Sequence, residues 1–377
     1  LTYQLLAVCA FGLEAVVKRE CETLGFSDIS AFDARVYFRG DEEDIARANL
    51  WLRCADRVYM VLDEFEATDF ETLYQGVKKL KWSELIAKDD AFPVTGDSVR
   101  SALFSVSDVQ KISKKAIVDS LSVVYKQTLF AETESTLPVH IAILKDKVSV
   151  MVNTSGAGLN RRGYRRLNGE APLRETLSAG LLYIARYNGG EFYDPMCGSG
   201  TIAIEAALMA KNIAPGLQRH FAFETFGFLP QQGYREIREQ AKSEIKKGTV
   251  PIFASDVDEA VLDIAKTHAK TAGVYDHIKI YKADIRKALS NDPGGILVTN
   301  PPYAIRMGER KETERLYRKM GDCIKNNPYL KAFIITADMG FEKYFGKAAD
   351  KKRKLYNGSI KCNYYQYFRG KKPKPNV

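Results

Sequence analysis

The sequence lacks any pairing of cysteines that would mark a zinc site or a disulfide framework. Its six cysteines stand singly at positions 9, 21, 54, 197, 323 and 362, with no C-x-x-C among them, and a reducing compartment fits. Histidine is sparse too. The four residues His140, His220, His268 and His277 are isolated from one another, which suits surface or core positions better than catalysis or metal ligation. No apolar run approaches the roughly twenty residues of a membrane span. The uncharged opening LTYQLLAVCAFGL has no basic flank, as a secretory signal would, and leads straight into the amphipathic stretch Glu14–Glu20. There is no internal repeat, and only the tail KKPKPNV reads as disordered. These absences describe a soluble, cytoplasmic chain that uses neither a membrane nor a metal.

What is present is ordinary in bulk. A chain of 377 residues has room for two or three domains, and 45% hydrophobic with 27% charged residues can bury sizeable cores. The net charge of +9 favours an anionic partner without choosing among nucleic acid, membrane surface and phosphorylated ligand.

The first 55 residues read as strand, helix, strand, helix. TYQLLAVCA is apolar, EAVVKRECETLG has helical spacing and a glycine stop, ARVYFRG alternates, and DEEDIARANLWLRCA opens on acids suited to a helix N-terminus. Over 56–158 strands and helices mix without regular spacing, so an α+β arrangement is expected. RVYMVLDEFEA alternates, DVQKISKKAIVDSLSVVY is helical, and VHIAILKDKVSVMVNTS reads as a hairpin turning near Lys145-Asp146. GLNRRGYRRLNGEAPLRE, rich in arginine and glycine, has linker composition and leads into a third region, 159–377. There EFYD, VPIFASD, IKIYKAD, GGILVTN and LKAFIIT alternate with helical stretches 199–212, 258–273 and 311–326, the pattern of an α/β parallel sheet. RKLYNGSIKCNYYQYFR around Asn357-Gly358 predicts a closing antiparallel hairpin, and 215–250 reads as a largely helical insertion.

Three acids fall at three consecutive strand ends. Asp194 opens DPMCGSGT, a strand-to-helix glycine turn in which backbone at Gly198 and Gly200 can approach a ligand and the following helix N-terminus can take polar groups. Gly198-Ser199-Gly200-Thr201-Ile202-Ala203 also fits the G-x-G-x-x-A fingerprint, which by itself is as compatible with a plain tight turn. Asp256 ends the second strand, where a carboxylate can take both ribose hydroxyls, provided the 215–250 insertion loops out. Asp284 ends the third, where an acid can accept from an adenine amino group. Singly, either acid suits a helix N-cap. Together the three outline one nucleoside site along one sheet edge.

The fourth strand ends at that edge in Asn300-Pro301-Pro302-Tyr303. An amino nitrogen conjugated to a ring is a poor nucleophile because its lone pair is delocalised. Accepting its two hydrogens on the Asn300 side-chain oxygen and the Pro301 carbonyl would turn the lone pair toward a methyl donor, while proline keeps that carbonyl out of sheet pairing. Tyr303 can stack on a base extruded from its helix. Such a step needs no strong general base. Cys197, within the glycine turn, reads as a packing residue.

DPMCGSGT followed by NPPY resembles motifs I and IV of class I S-adenosylmethionine-dependent methyltransferases that act on exocyclic amines. With LNRRGYR and APLRETLSAGLL ahead of them, the sequence resembles the RlmL group of ribosomal-RNA guanine-N2 methyltransferases. AFGLEAVVKRE looks like that group's ferredoxin-like entry segment, and SALFSVSDVQKISKKAIVDSL like its THUMP domain, an RNA-binding module. The resemblance implies an α/β, Rossmann-like methyltransferase domain over 159–377, with a seven-stranded, mostly parallel sheet and a C-terminal antiparallel hairpin. Ahead of it would lie an α+β region, ferredoxin-like over 1–55 and THUMP over 56–158. The implied cofactor is S-adenosyl-L-methionine, held by Pro172, Leu173, Asp194, Pro195, Met196, Cys197, Gly198, Ser199, Gly200, Thr201, Asp256, Val257, Asp284, Ile285 and Asn300. Asn300, Pro301, Pro302 and Tyr303 would hold the guanine amino group. The implied partner is 23S ribosomal RNA or a pre-ribosomal particle. Some members carry a second methyltransferase module; the resemblance here covers one, and a dual activity is not carried over.

Arg161, Arg162, Arg165 and Arg166 are candidates to grip RNA phosphates, with a solvated linker as the equal alternative. Lys114 and Lys115, on the THUMP-like helix, are further candidates, although an exposed helical face explains them as simply. NPPY serves adenine-N6 methylation of DNA or RNA, or glutamine methylation of a protein, by the same logic. An assembly factor that binds RNA without essential catalysis is a separate reading. A nicotinamide oxidoreductase would leave NPPY unexplained.

Overall fold

The computed structural model describes residues 1–165, 173–290, 294–303 and 310–368. Contacts divide the chain into two compact units. One comprises Leu1–Val8, Val17–Leu159 and Arg219–Gln240; the other comprises Cys9–Val16, Asn160–Gln218 and Ala241–Val377.

The first unit is built on one sheet. Its elements are β1 (Tyr3–Cys9), α1 (Glu14–Thr23), β2 (Ser27–Phe32), β3 (Arg35–Gly40), α2 (Glu42–Trp51), β4 (Ala55–Glu66), α3 (Phe70–Lys78), β5 (Val94–Val99), α4 (Val106–Tyr125), β6 (Val139–Leu144) and β7 (Lys147–Asn153), with sheet order β2-β3-β1-β4-β7-β6-β5. Local chemistry sets several boundaries. Asp41 and Asp44 form a capping box at the start of α2, each side chain taking the other's backbone N–H. Lys145 and Asp146 both adopt positive φ, 51° and 65°, the two-residue turn that suits a twisted hairpin. β1 lies beside β4, so the sheet continues across residue 55. Buried Asn49 of α2 donates to Thr154 Oγ1 at 2.9 Å and accepts from Ser155 Oγ at 2.5 Å, fastening the helix to the chain leaving β7.

Two strands of this sheet escape the hydrophobic pattern. β2, SDISAF, is largely exposed, and β5, VTGDSV, pairs parallel to β6 at the sheet edge with alternate residues only half-buried. Edge strands bury little and so carry little apolar signal.

The second unit follows with α5 (Glu175–Ile184), β8 (Phe192–Asp194) and α6 (Thr201–Ala210). The insertion then enters, with α7 (Gln231–Ser243), and residues 219–240 of it group with the first unit. There Arg219 donates to the carbonyls of Ala157 and Gly158 at 2.6 and 2.7 Å. The fold resumes with β9 (Ile252–Asp256), α8 (Glu259–Thr271), β10 (Ile278–Lys282), α9 (Ile285–Ala288), β11 (Ile296–Thr299), α10 (Arg310–Lys325), β12 (Lys331–Thr336), α11 (Phe341–Phe345), β13 (Lys351–Asn357) and β14 (Ile360–Tyr367). The sheet order is β10-β9-β8-β11-β12-β14-β13, parallel through β12 and antiparallel at β14 and β13. The order of strand addition reverses at β8, with all three strands parallel: β9 lies on one side of it and β11 on the other. That switch point opens a crevice beyond the strands' carboxyl ends. Under one face Tyr193, Leu297, Tyr317, Met320, Phe341 and Tyr365 pack into a buried core that holds these ends in place.

Candidate active site

The register puts Asp194, Asp256, Asp284 and Asn300 along one edge of four adjacent parallel strands, β10-β9-β8-β11. Asp194 closes β8 and is 1% exposed. Its Oδ1 accepts a 2.8 Å hydrogen bond from Thr299 Oγ1, while Oδ2 is buried without a partner among the described residues. Burial pushes its carboxyl up to about 7, opposed by the Thr299 bond and reinforced by nearby Asp256.

The glycine turn after β8 is pinned to the neighbouring strand. Cys197 N–H donates to the Ser255 carbonyl at 2.9 Å, and Gly198 N–H to Asp256 Oδ2 at 3.0 Å. Gly198 and Gly200 have φ of +49° and +84°, the region that favours glycine. Their reasons differ. A Cβ on Gly198 would meet no atom within 4 Å, leaving its space to a ligand, whereas one on Gly200 would lie 3.1 Å from Ala265 Cβ on α8. Gly200 therefore also lets α8 pack closely against the turn. Burial pushes the Cys197 thiol well above its usual range, and the side chain is a neutral packing group.

Asp256 is half-buried, its second oxygen accepting from Asp258 N–H at 3.1 Å. Val257 beside it is 64% exposed. Asp284 caps α9 through Arg286 and Lys287 N–H at 2.9 and 3.1 Å, and receives Lys319 Nζ at 2.7 Å. The Lys319 hydrogen bond, with those backbone donors, holds its carboxyl below the usual range. The Ile285 side chain belongs to the buried core, so only its backbone remains for a ligand. Leu173 and Pro195 are buried, Met196 packs partly against the core, and Ser199 lends its carbonyl to His268 Nδ1 at 3.2 Å. Pro172 lies outside the described residues.

At the end of β11, Asn300 and Tyr303 are half-buried, Pro301 is buried and Pro302 exposed. Among the described residues nothing engages the Asn300 amide, and the Pro302 carbonyl accepts from Tyr317 at 3.4 Å. Burial and neighbouring Cys362 push the Tyr303 phenol up, so it stays neutral. A neutral ring and an uncommitted amide suit binding and orientation of a flat amino-bearing group.

The arginine-rich segment is not the loose linker its composition suggests. Arg162 is 3% exposed and pairs with buried Glu205 at 3.5 Å, and Tyr164 donates to the same carboxylate at 3.1 Å. Arg165 donates to Thr201 Oγ1 at 2.6 Å and to the Leu173 carbonyl at 3.1 Å, and pairs with Glu175. Neither presents a free charge to phosphates. Arg161 is exposed, and Arg166 lies outside the described residues. Lys114 is committed to Glu132 and the Phe92 carbonyl over the Phe92 ring, while Lys115 is exposed. Sequence reading missed Thr299 and Glu205, both buried polar partners that no local motif marks. Among the described residues no cluster of His, Cys, Asp and Glu could hold a metal, and no helix is long and apolar enough to cross a membrane.

Comparison with known proteins agrees with this geometry. Residues 162–366 match the family model described as RMKL-like, methyltransferase domain; residues 4–59 match the RlmL ferredoxin-like domain and 67–153 the THUMP domain. The chain is 39% identical over 375 residues to the Bacillus subtilis (strain 168) protein named "Putative RNA methyltransferase YpsC", covering 98% of this chain and 97% of that one. It is 34% identical to the ribosomal RNA large subunit methyltransferase K/L of Cellvibrio japonicus (strain Ueda107), covering 95% of this chain but only 50% of that relative's length. Among solved structures, "SMU.472, a putative methyltransferase complexed with SAH" shares 38% identity at a TM-score of 0.92, covering 98% of this chain and 99% of that one. The Listeria monocytogenes (str. 4b F2365) protein described as "a predicted N6-adenine-specific DNA methylase" shares 41% identity at a TM-score of 0.92, covering 98% of this chain and 97% of that one. A glycine turn, strand-end acids and Asn-Pro-Pro-Tyr on one switch-point edge, matched over most of the chain, make this protein a member of the RMKL-like methyltransferase family.

Proposed function

We propose that the chain is an S-adenosyl-L-methionine-dependent RNA methyltransferase that forms N2-methylguanosine in 23S ribosomal RNA, with residues 56–158 as its THUMP RNA-binding part. The observation that carries the reading is the placement of Asn300-Pro301-Pro302-Tyr303 one strand from the Asp194 glycine turn, on a shared edge. The residues fit the cofactor: Gly198 leaves open space, Asp194 Oδ2 is an orphaned buried acceptor, and Asp256 and Asp284 stand at or just past the ends of the next two strands along the edge, where they would take the ribose and the adenine. When bound, the cofactor supplies an electrophilic methyl group on its sulfonium. Asn300 Oδ1 and the Pro301 carbonyl accept the hydrogens of the target amine and aim its lone pair, and Tyr303 stacks on the base. Positioning and water exclusion provide the acceleration, and the product nitrogen sheds its proton without a dedicated base.

The ferredoxin-like and THUMP matches, together with the names of the curated relatives, support RNA over DNA or protein. One solved relative, described as "a predicted N6-adenine-specific DNA methylase", keeps adenine N6 as the second reading, since the motif handles either amine. Methyl transfer from labelled cofactor to unmodified ribosomal RNA, unmethylated DNA and protein separates them, using RNA from cells that lack this protein. N2-methylguanosine is the expected product. N6-methyladenine would keep the mechanism and overturn the substrate. Binding of cofactor with no label in any pool would favour an assembly factor.

A further inference from the structure

The C-terminal hairpin extends past the strand it pairs with and carries a basic, aromatic face at the catalytic edge. β12 ends at Thr336 opposite Asn363, whereas β13 and β14 continue to Asn357 opposite Ile360. Alternation and register place Lys354 with Asn363, and Tyr356 with Lys361, on one face of this overhang. The Lys354 ammonium lies 5.4 Å from the centroid of the Tyr356 ring, against which Phe11 packs edge-on at 5.9 Å. Asn363 reaches Met339 Sδ at 3.2 Å, and Phe11 and Met339 are 48% and 55% exposed.

The charges here are uncommitted. Of the run Lys351-Lys352-Arg353-Lys354, Lys352 bonds Glu342, but exposed Lys354 and Lys361 meet no carboxylate among the described residues. The hairpin is also tied to the target site, since Cys362 neighbours Tyr303 and Asn357 Oδ1 accepts from Arg174 N–H at 3.4 Å. A base drawn out of its strand leaves flanking nucleotides that must be held apart, and such strands are held by stacking on aromatic faces and by cations on phosphates. An exposed phenylalanine against a half-buried tyrosine, set with two uncommitted lysines on the hairpin whose other face turns Cys362 toward Tyr303, has that composition.

We propose that Lys354, Tyr356, Lys361 and Phe11 form the docking surface for the RNA strand flanking the target nucleotide, a base stacking on Tyr356 and Phe11 while phosphates meet the two lysines. The inference rests on the RNA methyltransferase reading above. Its test uses the full chain, unmodified large-subunit ribosomal RNA transcribed in vitro, and the variants Lys354→Ala/Lys361→Ala, Tyr356→Ala and Tyr356→Phe. The double variant should raise the RNA Kd and KM about 10-fold and flatten the log Kd against log salt slope by about 1.4, at roughly 0.7 per phosphate on a single strand. Tyr356→Ala should weaken RNA binding by about 10-fold with its salt slope unchanged, and Tyr356→Phe should restore it. SAH affinity and kcat at saturating RNA should match wild type throughout. Unchanged RNA affinity in both the lysine and the alanine variants, while wild type methylates RNA, would overturn the docking surface and leave the RNA reading intact. A wild type that methylates DNA or protein but not RNA would overturn both.

Discussion

Thr299 Oγ1 donates to Asp194 Oδ1 over 2.8 Å between two buried side chains, tying the strand that ends in Asn-Pro-Pro-Tyr to the strand that leads into the glycine turn. The two halves of the site, one read as holding a methyl donor and the other a methyl acceptor, stand on paired strands, and this side-chain hydrogen bond carries the pairing on to their carboxyl ends beneath the crevice.

Asp194 gives the free protein a specific pH dependence. Burial raises its carboxyl from 3.8 to about 7, so between those values the folded chain holds a proton that the unfolded chain has released. The stability contributed by this group is full below pH 4 and declines as pH rises to 7. Urea unfolding should show wild type losing stability between pH 5 and pH 8 relative to Asp194→Asn, which carries no titrating group there. Parallel pH profiles for the two proteins would contradict the assignment.

The two glycines of the turn should separate stability from ligand binding. Each substitution by alanine meets the left-handed backbone penalty of about 1–2 kcal/mol. Gly200→Ala also drives a methyl group into Ala265 and should lower the thermal midpoint further. Gly198→Ala meets nothing in the protein, so its main loss should appear in calorimetry as at least 10-fold weaker SAH binding. Equal SAH affinity in Gly198→Ala and wild type would place the ligand elsewhere.

Much of this layout is legible in the residues themselves. Strands such as Ile296–Thr299 and Lys331–Thr336 are buried apolar runs set between helices, and both glycine turn and proline turn announce strand ends. What stayed hidden depends on distant partners. Composition reveals the charge of Arg162, but its partner Glu205 lies 43 residues downstream, so a buried ion pair and a solvated linker look alike in sequence. Asp284 reads correctly as both an edge acid and a helix cap, yet Lys319, which completes its environment, comes from a different helix. The insertion around 219–240 had to leave the sheet, but nothing local says it joins the first unit.

That buried pair makes a test against the phosphate-binding view of the arginine segment. Arg162→Met leaves the buried Glu205 carboxylate with no countercharge and only the Tyr164 hydroxyl bonded to it, and should cost roughly 3–5 kcal/mol in urea unfolding. Arg162→Met combined with Glu205→Met should recover most of that loss and bind RNA as wild type does. Weak RNA binding by the refolded double variant, with stability restored, would return Arg162 to the RNA interface.

Asn300 and Tyr303 should fail in different ways. The Asn300 amide is unengaged by the described residues, so Asn300→Ala removes little that holds the fold, while it deletes the acceptor that aims the target nitrogen. The expected result is a kcat loss of roughly 100-fold to 1,000-fold, comparable with deleting one preorganised polar group, and SAH affinity within a few-fold of wild type. The Tyr303 phenol is held neutral by burial and has no role as a base, so Tyr303→Phe should keep near-normal activity with no new pH dependence. Tyr303→Ala deletes the stacking face and should depress turnover by about 10-fold or more. Single-turnover label transfer on unmodified RNA reads all three variants. Full activity in Asn300→Ala, with protein folded and SAH bound, would remove this motif from the chemistry.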